Sequence, residues 1–372
     1  MMPESETEPD SGKARRRPRL LIYLLVAAAA AGLGVVAAGT LTQHDDPAPA
    51  STHLDQARVE RELTPGLVDL RANLQYSHEV SVDTGIIVSA DGLVLTSNND
   101  ITGATSVKAT LVGSGRTYTA RVLGYDATQD VALLKLEGAA HLPAVTLGNS
   151  SQVTIGMPVL ALGNAEGQGG VTPAAGIITA LDRSINSGDG DQGLAPQNLR
   201  GMQQTSAQVG PGDDGGPLAD SDARVIGMIT TANTPSGQAS TVGFAIPINT
   251  AMAIARQISH GQASSTVYLG DPGFLGVQVK ASTSRAPSGA LIAGVIAGTP
   301  ASRAGLAAGD VITGVNGLPV TTAASLDTLL HQYHSGDVVS VRWTAVHGAT
   351  HTIHTTHTTH TTHITLGNGP FR

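Results

Sequence analysis

Apolar and polar positions alternate in short runs from Gly66 to Ile258, and Gly-rich stretches separate the runs. That period of two predicts β-strands, with one side chain in every pair facing a core. Gly85-Ile86-Ile87-Val88 and Leu93-Val94-Leu95-Thr96 flank Ser89-Ala90-Asp91-Gly92, which predicts a hairpin turning at Asp-Gly. Further strands are expected at Tyr118 to Leu123, Val131 to Leu136, Pro158 to Gly163 and Val225 to Thr231. So many short strands favour a barrel or a sandwich. The Gly-rich, polar stretches from Ala165 to Pro173 and from Ser184 to Asn198 read as loops. The pattern changes at Ala323 to Tyr333, where Leu326, Leu329 and Leu330 fall on one face at helical spacing.

A different pattern opens the chain. Lys13, Arg15, Arg16, Arg17 and Arg19 precede an unbroken apolar run from Leu20 to Leu41. At 1.5 Å per residue such a run spans about 33 Å, enough to cross a bilayer. The basic flank favours a cytoplasmic tail at residues 1–19, a single-pass transmembrane helix at 20–41 and everything beyond on the far side of the cell membrane. Val36-Ala37-Ala38 also resembles a small-residue cleavage site, so a removed signal peptide is the rival reading. Both readings export the rest of the chain. Residues 42–63, with Asp45-Asp46-Pro47-Ala48-Pro49, read as a flexible linker.

Composition narrows the function. The 372 residues leave room for about two domains, and the net charge of −8 argues against a nucleic-acid partner. The absence of cysteine excludes disulfides, thiol catalysis and cysteine-held metals.

Three segments carry candidate chemistry: Thr96-Ser97-Asn98-Asn99-Asp100-Ile101, Asp126-Ala127-Thr128-Gln129-Asp130-Val131-Ala132-Leu133-Leu134 and Gly210-Pro211-Gly212-Asp213-Asp214-Gly215-Gly216-Pro217-Leu218. Together with Leu162-Gly163-Asn164 and Gly243-Phe244-Ala245-Ile246-Pro247, they resemble, in order, the HtrA group of trypsin-like serine proteases. The resemblance implies an all-β, chymotrypsin-like double β-barrel over residues 64–262. It also places a catalytic triad of His, Asp and Ser, in that chain order. The family's histidine normally lies in Thr-Asn-Asn-His-Val, and the matching residue here is Asn99. The aspartate falls on Asp130, which is retained. The serine position of Gly-Asp/Asn-Ser-Gly-Gly-Pro-Leu is Asp214 here. By the same resemblance Gly212, Asp213 and Asp214 take the place of the oxyanion hole.

Chemistry makes the two replacements matter. A serine hydroxyl attacks an amide only when an imidazole takes its proton and later returns it to the leaving amine. The amide of Asn99 can do neither near neutral pH. The carboxylate of Asp214 is a poor nucleophile, and its charge stands where an oxyanion would develop. No histidine lies between His78 and His141 to restore the base, and His78 itself reads as an ordinary strand residue. Ser97 and Ser206 are the nearest hydroxyls in sequence. Asp130 and Asp214 could in principle work as a carboxylate pair, but a hydrogen-bonded Asp130–Asn99 remnant is the plainer expectation.

Residues 263–372 are expected to form a second, small α+β domain. Gly273-Phe274-Leu275-Gly276-Val277, Gly298-Thr299-Pro300-Ala301, Gly309-Asp310-Val311-Ile312 and Val315-Asn316-Gly317 resemble a PDZ domain of the bacterial protease type. The resemblance implies that peptide or protein C-termini add as a strand along Val277 to Lys280. The backbone at Phe274, Leu275 and Gly276 would take the terminal carboxylate, and Leu326 and Leu330 would wall the pocket. The bland alternative is that these leucines are simply core. Near the end, His351, His354, His357, His360 and His363 recur every three residues among threonines. In a strand, successive histidines would face opposite sides and same-face neighbours would lie about 20 Å apart. The run therefore reads as an expanded repeat lengthening the last PDZ strand or its hairpin, with weak, opportunistic metal capture as the alternative, and no cofactor is expected.

Two functions follow. The first is a membrane-anchored pseudoprotease that binds peptides or proteins in extracytoplasmic quality control. The second is a working serine endopeptidase of the HtrA type. Asn99 and Asp214 decide between them in favour of the first, while assembly as a homo- or hetero-oligomer stays open.

Overall fold

A computed structural model of the chain describes residues 54–74, 79–164, 170–187, 197–210, 212–230, 242–280, 288–346 and 357–371. The expected transmembrane run, its basic flank and the linker as far as residue 53 lie outside the described residues, as do His78, His351 and His354. Among the described residues no helix is long and apolar enough to cross a membrane.

Alternation builds the first barrel. Its strands are β1 (Leu67–Leu74), β2 (Glu79–Ile87), β3 (Leu93–Thr96), β4 (Ser106–Leu111), β5 (Thr117–Asp126) and β6 (Val131–Leu136). The order β5-β4-β1-β2-β3-β6 closes by pairing β5 with β6, so no edge is left open. Val68, Leu70, Ile87, Val94, Val122 and Leu134 fill its interior. The predicted hairpin is present, and Gly92, at φ +89°, makes the turn that a residue with a Cβ would strain.

The second barrel repeats the design. It contains β7 (Thr146–Leu147), β8 (Pro158–Gly163), β9 (Thr172–Ser187), β10 (Gln197–Thr205), β11 (Pro217–Ala219), β12 (Arg224–Thr230) and β13 (Gly243–Pro247). Six of them close in the order β11-β8-β9-β10-β13-β12, and β7 adds in parallel to β12. The expected loop at Ser184 to Asn198 is corrected at both ends, because β9 runs on to Ser187 and β10 begins at Gln197. The pairing Asn198↔Asn186 continues the ladder there despite the polar, Gly-rich sequence.

Two helices seal the joint between the barrels. Residues 56–63, expected as linker, instead form α1 (Gln56–Leu63), and Asp55 caps it by accepting from the Arg58 amide. Val59 and Leu63, four residues apart on one face, are fully buried among strands of both barrels. Burying two such side chains stabilises by roughly 1.5–3 kcal/mol each, which is why this stretch is not a tether. The second helix, α2 (Ile248–Ser259), buries Ile248, Ala251, Ile254, Ala255 and Ile258 in the same cluster.

The boundary at 263 is also corrected. Residues of β14 (Val267–Leu269) pair with β5 and so extend the first barrel. Beyond them come β15 (Gly273–Phe274), β16 (Val277–Val279), β17 (Ala290–Val295), α3 (Pro300–Arg303), β18 (Val311–Val315), β19 (Leu318–Pro319), α4 (Ala323–Leu330), β20 (Val338–Val346), β21 (His357–Thr365) and β22 (Gly367–Asn368). The main sheet runs β16-β17-β18-β20-β21, and β15 pairs separately with β22. Leu275, Ile292, Val315, Leu326, Val341 and Trp343 form its core. The helix expected to Tyr333 stops at Leu330 with His331 as its C-cap. Barrels and sheet belong to one unit, Ala50–Arg372.

Candidate active site

The pairing of β3 with β6 sets Thr96 opposite Ala132, which brings the turn after β3 beside the residue just before β6. Asn99 lies in that turn and Asp130 is that residue. Asp130 adopts a left-handed conformation at φ +55°, which an aspartate tolerates better than most residues. Its carboxylate is thereby turned onto the turn after β3. Oδ1 accepts from Ser97 Oγ at 2.6 Å and from the Asn99 amide N–H at 2.9 Å. Oδ2 accepts from Thr230 Oγ1, at the end of β12 in the second barrel, at 2.9 Å. The expected Asp130–Asn99 contact is thus made through the Asn99 backbone. Burial pushes the Asp130 carboxyl up, and these donors pull against it.

Asp214 sits half-buried in the loop before β11, and its carbonyl accepts from the Thr84 amide at 3.0 Å. Thr84 ties the site together. Its hydroxyl donates to the Gly212 carbonyl at 2.8 Å and accepts from the Asn164 amide at 2.9 Å, while its carbonyl accepts from Thr96 Oγ1. Gly215, at φ +73°, packs so closely that a Cβ would lie 2.2 Å from the Thr84 carbonyl oxygen. Asp213 turns back into its own loop, where Oδ2 accepts from the Gly210 amide at 2.8 Å. Burial raises the Asp213 carboxyl to about 6 against that single donor.

Two residues that sequence reasoning passed over complete the centre. Asp100 is buried and accepts from Thr96 Oγ1 and, at 3.1 Å, from the Ser97 amide. Burial holds its carboxyl well above the ordinary range, and the charges of Asp83, Asp214 and Asp130 push the same way. Asp83, on β2, is only partly buried as a residue, but its carboxyl is turned inward and accepts from Ser81 Oγ. Burial raises it to about 6, with the Asp130 charge adding to the shift. The structure therefore brings Asp83, Asp100, Asp130 and Asp214 close enough for their charges to interact, with Asp130 bonded to the Asn99 amide. Among the described residues no group of three or more His, Asp or Glu is arranged to hold a metal ion.

Hydroxyls near the centre are engaged. Ser97 is fully buried with its Oγ on Asp130, and Ser206 Oγ accepts from the Ile177 amide at 3.1 Å in the second barrel. Ser97 is thus closed off, whereas Ser206 is exposed.

In the C-terminal domain, Gly276 takes φ +86° and its Cα faces Thr299, where a Cβ would come within 2.2 Å. Leu326 is core at 2% exposure, so the bland reading fits it, and the Leu275 side chain is also buried, at 1%. Phe274, Val277 and Leu330 are partly exposed, and Phe274 and Leu330 line one small cleft with Pro272, Asp327 and His331. Along β21 the Thr-Thr-His run pairs residue for residue with β20 from Val338↔Thr365 to Val346↔His357. His360 stacks on Trp343 with ring centroids 5.3 Å apart, whereas His363, an odd number of positions away, is exposed.

Two closed six-stranded barrels with an aspartate-centred joint, followed by this domain, define a trypsin-like protease fold joined to a PDZ domain. The trypsin-like peptidase domain family matches residues 83–228 and the PDZ domain family matches residues 273–347. Serine protease PepD of Mycobacterium tuberculosis is 31% identical over 382 residues, covering 93% of this chain and 79% of PepD. Periplasmic serine endoprotease DegP of Escherichia coli is 32% identical over 254 residues, covering 66% of this chain and only 51% of DegP. A solved structure of a variant of the HtrA-type protease AlgW with a tripeptide superposes with a TM-score of 0.50 at 29% identity, over 86% of this chain and 99% of that one. The chain belongs to the HtrA-type family of trypsin-like serine proteases with a PDZ domain.

Proposed function

We propose that this chain is a pseudoprotease: an exported, membrane-anchored HtrA-type protein that binds peptide or protein C-termini and does not cleave them. One observation carries the reading. Ser97, Thr230 and the Asn99 backbone amide hold the Asp130 carboxylate beside residue 99, but residue 99 offers an amide and residue 214 a carboxylate. Without an imidazole there is no base for a nucleophile and no acid for the leaving amine. The Asp214 carboxylate adds charge of the sign that opposes an oxyanion. Losing either the serine or the histidine of such a triad typically costs on the order of 10⁶ in turnover.

Binding falls to the PDZ domain. The Phe274-Leu275-Gly276 loop and the edge of β16 form the docking surface, with Val277 and Leu330 contacting the peptide's last side chain. AlgW with a tripeptide supports peptide binding, and the periplasmic DegP supports export. The basic residues and apolar run at 13–41 supply the anchor.

The test is casein cleavage by residues 43–372, alongside the double variant Asn99→His with Asp214→Ser. Silence from the natural chain and cleavage by the variant are expected. Cleavage by the natural chain would overturn the reading in favour of a working endopeptidase. Silence from both would mean that the cleft has diverged beyond the two positions.

A further inference from the structure

The segment that follows the Thr/His strand does not end in the PDZ domain. Gly367 and Asn368 pair with Phe274 and Gly273, and the Gly369 amide donates to the Pro272 carbonyl at 3.1 Å. Gly369 also lies flat against the Phe274 side chain, where a Cβ would come within 2.7 Å of Phe274 Cβ. Two residues on, the chain has crossed to the first barrel. Phe371 is 3% exposed and belongs to that barrel's core cluster. Its amide donates to the Ala104 carbonyl at 3.1 Å and its carbonyl accepts from the Gly103 amide at 2.7 Å. Asn368 Nδ2 donates to the Thr105 carbonyl at 3.4 Å.

Both ends of this crossing meet functional segments. On the PDZ side it forms the strand partner of the Gly273–Phe274 ribbon that leads into the carboxylate loop. On the barrel side it is zipped to the turn that begins at Asn98, whose Thr102 amide donates to the Asn99 carbonyl at 3.2 Å. An aromatic row runs alongside. The Phe371 ring meets Tyr125 edge-on at 6.3 Å, Tyr125 stacks on Tyr268 at 5.4 Å, and Tyr268 contacts His331, the C-cap of α4, at 5.3 Å.

We propose that residues 367–371 are an intramolecular strap that makes the PDZ carboxylate loop and the Asn99 turn one mechanical unit. A buried Phe supplies a large anchoring area, and the backbone pairs at each end leave the short intervening chain no slack. The strap is independent of whether the centre cleaves peptides, since it holds the turn and not the reacting groups.

Amide hydrogen exchange on residues 43–372 tests it from both ends. Phe371→Ala empties the barrel socket, and Gly369→Val lifts the strap from Phe274 without touching the barrel. Each substitution is expected to speed exchange roughly tenfold at its far end: at 273–276 for Phe371→Ala and at 98–104 for Gly369→Val. Phe371→Leu, which keeps most of the apolar volume, replaces the alanine variant if that one does not fold. Faster exchange confined to the near end in each variant would overturn the proposal and reduce the contacts to ordinary packing.

Discussion

Replacing Asp83 by Asn should stabilise the protein, and more so at neutral than at acid pH. Its carboxyl is raised from an ordinary 3.8 to about 6 by burial and by Asp130, so the folded state binds that proton more tightly than the unfolded chain does. The burial of its charge is a penalty that is fully present above pH 6 and is relieved as pH falls towards 3.8. At 1.36 kcal/mol per unit, the penalty is about 3 kcal/mol at pH 7.5 and about 1 kcal/mol at pH 4.5. The replacement asparagine would carry no charge at either pH, and its carbonyl can still accept from Ser81 Oγ, the bond that Asp83 makes now. Urea unfolding of the natural chain and of Asp83→Asn, followed by far-UV circular dichroism, reads the difference directly. The natural chain should gain stability on acidification from pH 7.5 to 4.5, the reverse of ordinary acid denaturation, and the variant should gain less. A variant less stable than the natural chain at pH 7.5, or a gap that does not shrink at pH 4.5, would refute the reasoning.

Other perturbations follow from the same geometry. Thr230→Val removes the hydroxyl that donates to Asp130 Oδ2 and should cost about 1–3 kcal/mol, measured by the same unfolding assay. Leu326→Ala, in the PDZ core, should cost about 2–5 kcal/mol of that domain's stability, read by fluorescence of Trp343, the chain's one tryptophan. Leu330→Ala should leave that transition nearly in place and weaken binding of a labelled peptide with an apolar C-terminal residue by roughly tenfold, about 1.4 kcal/mol.

The readable parts of this fold are those where local pattern and tertiary burial agree. The Asp91-Gly92 hairpin, β6 and β8 each present a period or a turn residue that no neighbour overrides. Motif order alone pointed to Asn99, Asp130 and Asp214, and the structure brings Asp130 onto the Asn99 amide and ties the Asp214 loop to Thr84. Asp83 escaped because it sits in Val80-Ser81-Val82-Asp83, where alternation assigns polar residues to solvent. The actual face is inverted, with Val80 at 56% exposure and the Asp83 carboxyl inward. Asp100 escaped for a related reason: an aspartate in a turn reads as a solvated turn former, yet Gly215 packs close over it and it is buried. Helix α1 is mostly polar and shows two apolar anchors, too few to announce that both barrels close over it. Phe371 lies six residues beyond the last strand of the PDZ sheet, and nothing local points it at a different domain.

The same acidic surroundings bear on what a histidine introduced at position 99 would do. An imidazole introduced by Asn99→His would stand beside Asp130, whose charge interacts with that of Asp83, itself ionised above about pH 6. Each anion favours imidazolium over imidazole, so the introduced group should titrate above the 6.5 of an unperturbed histidine. A raised value strengthens the ion pair with Asp130 but empties the neutral form that must accept a proton, so base catalysis would be available only at higher pH. Removing one anion by Asp83→Asn should bring the titration back down, and in the double variant with Asp214→Ser the acid limb of the pH–rate profile should move with it. Proton NMR of the introduced ring measures the effect whether or not the protein cleaves anything. A midpoint at or below 6.5, unmoved by Asp83→Asn, would show that the carboxylates around position 99 are protonated or screened. The acid cluster would then be no obstacle to oxyanion chemistry, and the proposed lack of cleavage would rest on Asn99 and Asp214 alone.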